Sequence, residues 1–122
     1  MDVQVYAHPE RPIVEVQGPQ GLIASESDCL RVLESLYDYD ARHVILQRAA
    51  LAPAFFDLHS GLAGAVLQKF VNYRIPVAIV GDFSDLTSIP WKAFIYESNA
   101  GGQVFFLPDA QAAVTKLRSL EE

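Results

Sequence analysis

The chain has 122 residues, 51% of them hydrophobic, with 9 Lys and Arg against 15 Asp and Glu for a formal charge of -6. That balance fits one compact folded domain over residues 1–122, excludes a disordered chain, and opposes general binding to a nucleic-acid backbone. Cys29 stands alone, so no internal disulfide can form; no run reaches the roughly 18 apolar residues that span a bilayer, and residues 1–6 lack the basic and apolar regions of a signal peptide. A cytoplasmic protein is expected, with neither nucleic acid nor membrane as partner.

Val3 and Val5, then Val14 and Val16, alternate on either side of His8, Pro9, Glu10, Arg11 and Pro12, the pattern of an opening β-hairpin. Ser25 or Ser27 can cap a helix in which Leu30, Leu33, Leu36 and Tyr37 recur at helical spacing, with Glu26 and Asp28 at its positive end. That helix is expected to end near Asp40. Residues 43–47 read as a strand, followed by a connection through Pro53 into a helix with Leu62, Val66 and Phe70 on its apolar face. Residues 76–81 are apolar almost throughout, as in the middle of a parallel sheet. Ser88 and Pro90 begin the next helix, which carries Trp91, Phe94, Ile95 and Ser98 on one core-facing stripe and stops at residues 99–102. Residues 103–107 form the last strand, and Pro108 and Asp109 open a closing helix with Ala110, Ala113, Val114, Leu117 and Leu120.

The order β-β-α-β-α-β-α-β-α predicts an α/β fold, an opening β-hairpin followed by a mostly parallel sheet with right-handed crossovers. Loops at the carboxyl ends of parallel strands share one rim, where open sheets bind ligands. Asp57, His59, Ser60 and Gly61 follow the third strand and Asp82 and Ser84 the fourth, so all six are candidate binding or regulatory residues on that rim. Tyr73, Arg74, Glu97 and Asn99 end helices at the opposite pole and are expected to form a structural polar cluster, with Arg74 paired to Glu97 and Asn99 at a left-handed helix terminus.

Ser60 sits where backbone N–H groups and a helix dipole favour an anion, and its hydroxyl can equally satisfy those N–H groups as a cap. Phosphorylation there would add about two negative charges and repel an acidic partner. His59 has no second histidine or cysteine close in sequence, so a capping role is favoured, with no metal and no cofactor expected. Asp57, His59 and Ser60 make a poor hydrolase constellation, because adjacent side chains diverge and no glycine-flanked nucleophile elbow is present. Gly61 and Gly64 have the wrong spacing for a dinucleotide fingerprint, and Asp82 with Ser84 suits a turn or cap as well as a ligand.

The segment Phe56, Asp57, Leu58, His59, Ser60, Gly61, Leu62, Ala63, Gly64, read with the strand and helix order, resembles the STAS domain of bacterial anti-sigma factor antagonists. In that family Asp-Ser-Ser-Gly-Leu-Gly follows a strand, and the serine before the first glycine is phosphorylated by a partner kinase. The resemblance implies a STAS-like, noncatalytic interaction or regulatory module with Ser60 as its switch. Asp57 lies three residues before Ser60 rather than two, and alignment on Asp57 would put His59 at the phosphorylated position.

A broader resemblance runs through Phe55, Phe56, Asp57, Leu58; Gly61, Leu62, Ala63, Gly64; Lys69, Phe70; Asn72, Tyr73, Arg74; residues 78–84; and residues 94–99 with Gly102. These phrases resemble an uncharacterised bacterial family, domain of unknown function 4180, whose name implies no activity. Ile45, Ala78, Val80 and Phe105 alternate with Val44, Val77, Ile79, Val104 and Phe106, so both sheet faces are apolar. Helices on one face alone would leave a patch favouring a homodimer or another protein partner; helices on both would remove that argument. The alternative function is a small-ligand-binding protein or enzyme with a polar site on the rim.

Overall fold

The computed structural model describes residues 1–6 and 11–120. The turn expected at His8, Pro9 and Glu10 lies outside the described residues. Alternating valines form β1 (Asp2–Tyr6) and β2 (Ile13–Gly18), which pair antiparallel with Val5 opposite Val14. The apolar runs of β3 (His43–Gln47), β4 (Val77–Val80) and β5 (Val104–Leu107) then add in parallel, giving the sheet order β1-β2-β3-β4-β5. Strands buried on both faces can be this continuously apolar.

The helices are α1 (Glu26–Asp38), α2 (Leu62–Asn72), α3 (Ile89–Ala100) and α4 (Ala110–Ser119). Three of them begin as local chemistry dictates. Ser25 accepts from the Asp28 N–H, Ser88 from the Trp91 N–H and Asp109 from the Ala112 N–H, caps worth about 1 kcal/mol each. Asp28 reciprocates by accepting from the Ala24 N–H at 2.9 Å, which holds its carboxyl below the usual range.

Period-2 alternation divides the core. Val44, Leu46, Val77, Ile79 and Phe106 face α1, α2 and α3, whose Val32, Leu36, Val66, Phe70 and Trp91 complete the larger cluster. Three consecutive helices on one side of sequentially ordered strands are what right-handed crossovers produce. Ile45, Ala78, Val80 and Phe105 face the other way and meet Ala113 and Leu117 of α4. Helices therefore cover both faces, and the patch that would favour a sheet-mediated homodimer is occupied by α4. Cys29 is buried in the larger cluster, where loss of water pushes its thiol up to about 12.

Glu15 departs from the solvent-facing role that its place between Val14 and Val16 suggests. It is 2% exposed and lies on the α4 side of the sheet, where Tyr6 Oη donates to it at 2.6 Å and the Gln47 amide donates to its other oxygen. That carboxylate holds the Tyr6 phenol up to about 12.

Candidate functional site

The chain leaves β3 through three short 3-10 turns, Arg48–Ala50, Pro53–Phe56 and Leu58–Ser60, before entering α2. Arg48, the first residue beyond the strand, organises the carboxyl-end rim. Its guanidinium makes two near-parallel bonds to Asp85, at 2.6 and 2.7 Å, and donates to the Asp82 carbonyl. It also lies over the Phe56 ring at 4.4 Å and the Phe83 ring at 5.5 Å. This fork ties the exit of β3 to the loop after β4. The bond to Arg48 holds the Asp85 carboxyl below the usual range, and Asp85 in turn raises Arg48.

Gly81 makes the approach feasible. Its φ of +154° belongs to the region that favours glycine, and a Cβ there would stand 3.0 Å from Arg48 Cβ. Gly81→Ala is expected to cost about 1–3 kcal/mol in a urea melt. In an Arg48→Gly background, which removes Cβ itself, the contact is gone, so the loss should shrink to the backbone component; an equal loss in both backgrounds would show that the contact contributes nothing.

Asp57, His59, Ser60 and Gly61 come together in one exposed turn. Asp57 Oδ1 accepts from the His59 N–H at 3.0 Å. The Ser60 hydroxyl directs its proton to the Ala54 carbonyl at 2.5 Å and the Asp57 carbonyl at 2.7 Å, and accepts from the Leu62 N–H at 3.2 Å. Ser60 is thus a cap one residue removed. The helix's own N-cap is Gly61, which turns the chain with a φ of 76°. Asp82 and Ser84 form a second turn, in which Asp82 Oδ1 accepts from the Ser84 N–H at 2.9 Å and is held low by it.

The bonds of the Ser60 hydroxyl stay on its own side of the rim, and that of the Asp82 carboxylate stays within the Asp82 turn; Arg48 is the group that spans the two segments. Trp91 reinforces the arrangement by donating from Nε1 to the Phe56 carbonyl at 3.0 Å, which fastens the turns to α3. Beside the fork lies an open groove of about 680 Å3 lined by Gln47, Arg48, Pro53, Phe56, Gly81 and Asp82, among others. The carboxylate of Asp57 is spent on a backbone amide, so the hydrolase arrangement of Asp57, His59 and Ser60 does not form. Arg48 escapes sequence reasoning because its partner is 37 positions away; an arginine immediately after a buried strand was the available signal.

The opposite pole requires two corrections. Among the described residues Arg74 and Glu97 form no salt bridge; Glu97 lies beside Pro90, Ala93 and Ser98 on the outer side of α3. Arg74 instead closes α2 in the left-handed region with a φ of 57°, while the Ile75 N–H reaches back to the Phe70 carbonyl at 2.9 Å. Asn99 is not a left-handed terminus: α3 continues through Ala100. Its side chain pairs with β5, accepting from the Phe106 N–H at 2.7 Å and donating to the Phe106 carbonyl at 3.2 Å. Tyr73 caps the end of α2 through its backbone N–H.

With this framework in place, the comparison with protein families decides the affiliation: the family described as Domain of unknown function (DUF4180) matches residues 8–117. The chain belongs to the DUF4180 family. Comparison with curated proteins and with solved structures gave no match. Both the Ser60 turn and the Arg48 fork of this DUF4180 protein lie within the matched segment. No helix among the described residues is long and apolar enough to cross a membrane, and among the same residues no three His, Cys, Asp or Glu are grouped as a metal site.

Proposed function

We propose that this DUF4180 protein is a noncatalytic interaction or regulatory module, STAS-like in design, whose charge-sensitive element is the Ser60 turn. The observation that carries the reading is the triple engagement of an exposed hydroxyl: Ser60 Oγ lies within hydrogen-bond distance of two carbonyls and one N–H. A phosphate on that oxygen removes the only proton it can donate and sets about two negative charges beside the Ala54 and Asp57 carbonyls. The turn must then open, displacing Phe56 from Arg48 and altering the surface offered to a partner. The sequential strand order with three helices on one face supports the STAS likeness, and the commitment of the Asp57 and Asp82 carboxylates to backbone amides and of Asp85 to Arg48 argues against an acid-base pair.

The test is incubation with host lysate and ATP, followed by mass mapping of the peptide around Ser60. Phosphate at Ser60, and faster amide exchange over residues 54–62 in Ser60→Asp with the strands unchanged, are the expected results. Repeated recovery of that peptide only in its unmodified form would remove the switch. Saturable binding of a small molecule in the 680 Å3 groove would favour a ligand protein instead.

A further inference from the structure

The pole opposite the Ser60 turn carries a cleft with two lobes. One lobe, about 490 Å3, has an apolar floor that includes Leu30, Leu33, Leu36 and Ile75, with Tyr37 and Tyr73 among its walls. Those two residues are 82% and 52% exposed, which leaves their rings open to a ligand. The other lobe, about 770 Å3, runs along the amino-terminal ends of the parallel strands and is lined by Arg11, Arg42 and Arg74 with Pro76, Gly102 and Gln103 among their neighbours. Arg11 and Arg42 line both lobes, so the two adjoin.

Charge makes the second lobe informative. A chain with 9 basic residues against 15 acidic ones places three arginines around one groove. Among the described residues, neither Arg42 nor Arg74 forms a salt bridge, and Arg11 reaches only the exposed Asp40 at 3.6 Å. Arg74 also occupies a left-handed backbone position where glycine would be free of strain. Complementing the carboxyl end of α2 accounts for a cation near this point, but it requires neither an arginine at positive φ nor two further guanidinium groups around a cavity.

We infer that this cleft binds a small molecule joining a flat apolar body to a phosphate-bearing head, the body in the lobe of Tyr37 and Tyr73 and the head among Arg11, Arg42 and Arg74. Guanidinium forks match phosphate oxygens bidentately, and aromatic walls over an aliphatic floor suit a planar ring. The apolar lobe has the volume of ordinary small-molecule sites. Glu34 and Asp40 also line that lobe, which disfavours an anionic group there and directs the charged end toward the arginines.

Titration calorimetry with ADP, AMP and phenyl phosphate as whole ligands, and adenosine and pyrophosphate as halves, tests the inference on the full chain. At least one whole ligand should bind at least tenfold more tightly than either half. Arg42→Gln and Arg74→Gly should each weaken it about tenfold; the second relieves the positive φ, so the fold is kept or stabilised while the charge is lost. Amide shifts should centre on residues 37, 73 and 75. No saturable binding by any of the three, equal binding of pyrophosphate alone, unchanged affinity in both variants, or shifts confined to residues 54–62 and 81–85 would each overturn it. The Ser60 switch stands or falls separately.

Discussion

Trp91→Ala is expected to destabilise the protein more than any other single change near the rim, by about 3–5 kcal/mol. The indole is 5% exposed and serves two structures at once. It stacks on Phe94 at 5.4 Å, meets Phe106 edge-on at 6.4 Å and lies 6.0 Å from Phe56, so its removal leaves a cavity where α3, β5 and the turns after β3 converge. Its Nε1 donor also satisfies the Phe56 carbonyl. For a chain of this length roughly 4 °C of melting temperature accompanies each kcal/mol, so the midpoint should fall by roughly 12–20 °C. Trp91→Phe separates the terms: it keeps most of the packing, loses the donor, and should cost about 1–2 kcal/mol with the loss of order concentrated near Phe56. A drop below 1 kcal/mol for Trp91→Ala would show that the aromatic cluster does not hold the rim.

How much of this could be read from the residues follows the range of the forces involved. Ser25, Ser88 and Asp109 cap helices through bonds spanning three positions, so their roles are written locally. The strands are legible for the same reason, since alternation and apolar runs are properties of five or six neighbours. Asn99 shows where local reasoning fails. Followed by Ala100, Gly101 and Gly102 it reads as a helix stop, yet Gly101 closes α3 with extended backbone, φ -87° and ψ -168°, and Asn99 remains helical. Its amide carries both a donor and an acceptor, which is what the unpaired outer edge of β5 lacks.

Topology locates the rim, since loops after β3 and β4 must share the carboxyl end of the sheet. It does not single out the organising residue. Arg48 acquires its role only when Gly81 lets the β4 loop approach so closely that an added Cβ would stand 3.0 Å from Arg48 Cβ, an approach made only in the folded chain. The pole behind it reads as structural because helix-ending residues usually are, and Arg74 and Asn99 do serve the backbone. The three arginines lining its second lobe are spread from position 11 to position 74, and parallel pairing alone brings them together.

Replacement of the partners of Glu15 should be the other costly change, and it separates a buried charge from a merely buried residue. Tyr6→Phe combined with Gln47→Leu leaves the carboxylate of Glu15 on the α4 side without the two donors it now has, and should cost about 3–5 kcal/mol. Glu15→Gln keeps the volume, and after the Gln47 amide turns over it keeps the bonds too, so stability near neutral pH should change by less than about 1 kcal/mol. Its signature is alkaline. The Tyr6 phenol is held up to about 12 against an ordinary 10, so the folded state binds that proton more tightly than the unfolded state. The contribution is complete below pH 10 and is lost as pH rises through 12. Glu15→Gln replaces the charged acceptor of that hydrogen bond, the first cause of the shift, with a neutral one and removes the negative charge beside the phenol. The slowest-titrating tyrosine in the ultraviolet titration should therefore move back toward 10, and the alkaline loss of stability should flatten. A wild-type titration with no tyrosine near 12, or a double variant as stable as the parent, would mean that Glu15 reaches water and that its donors are incidental.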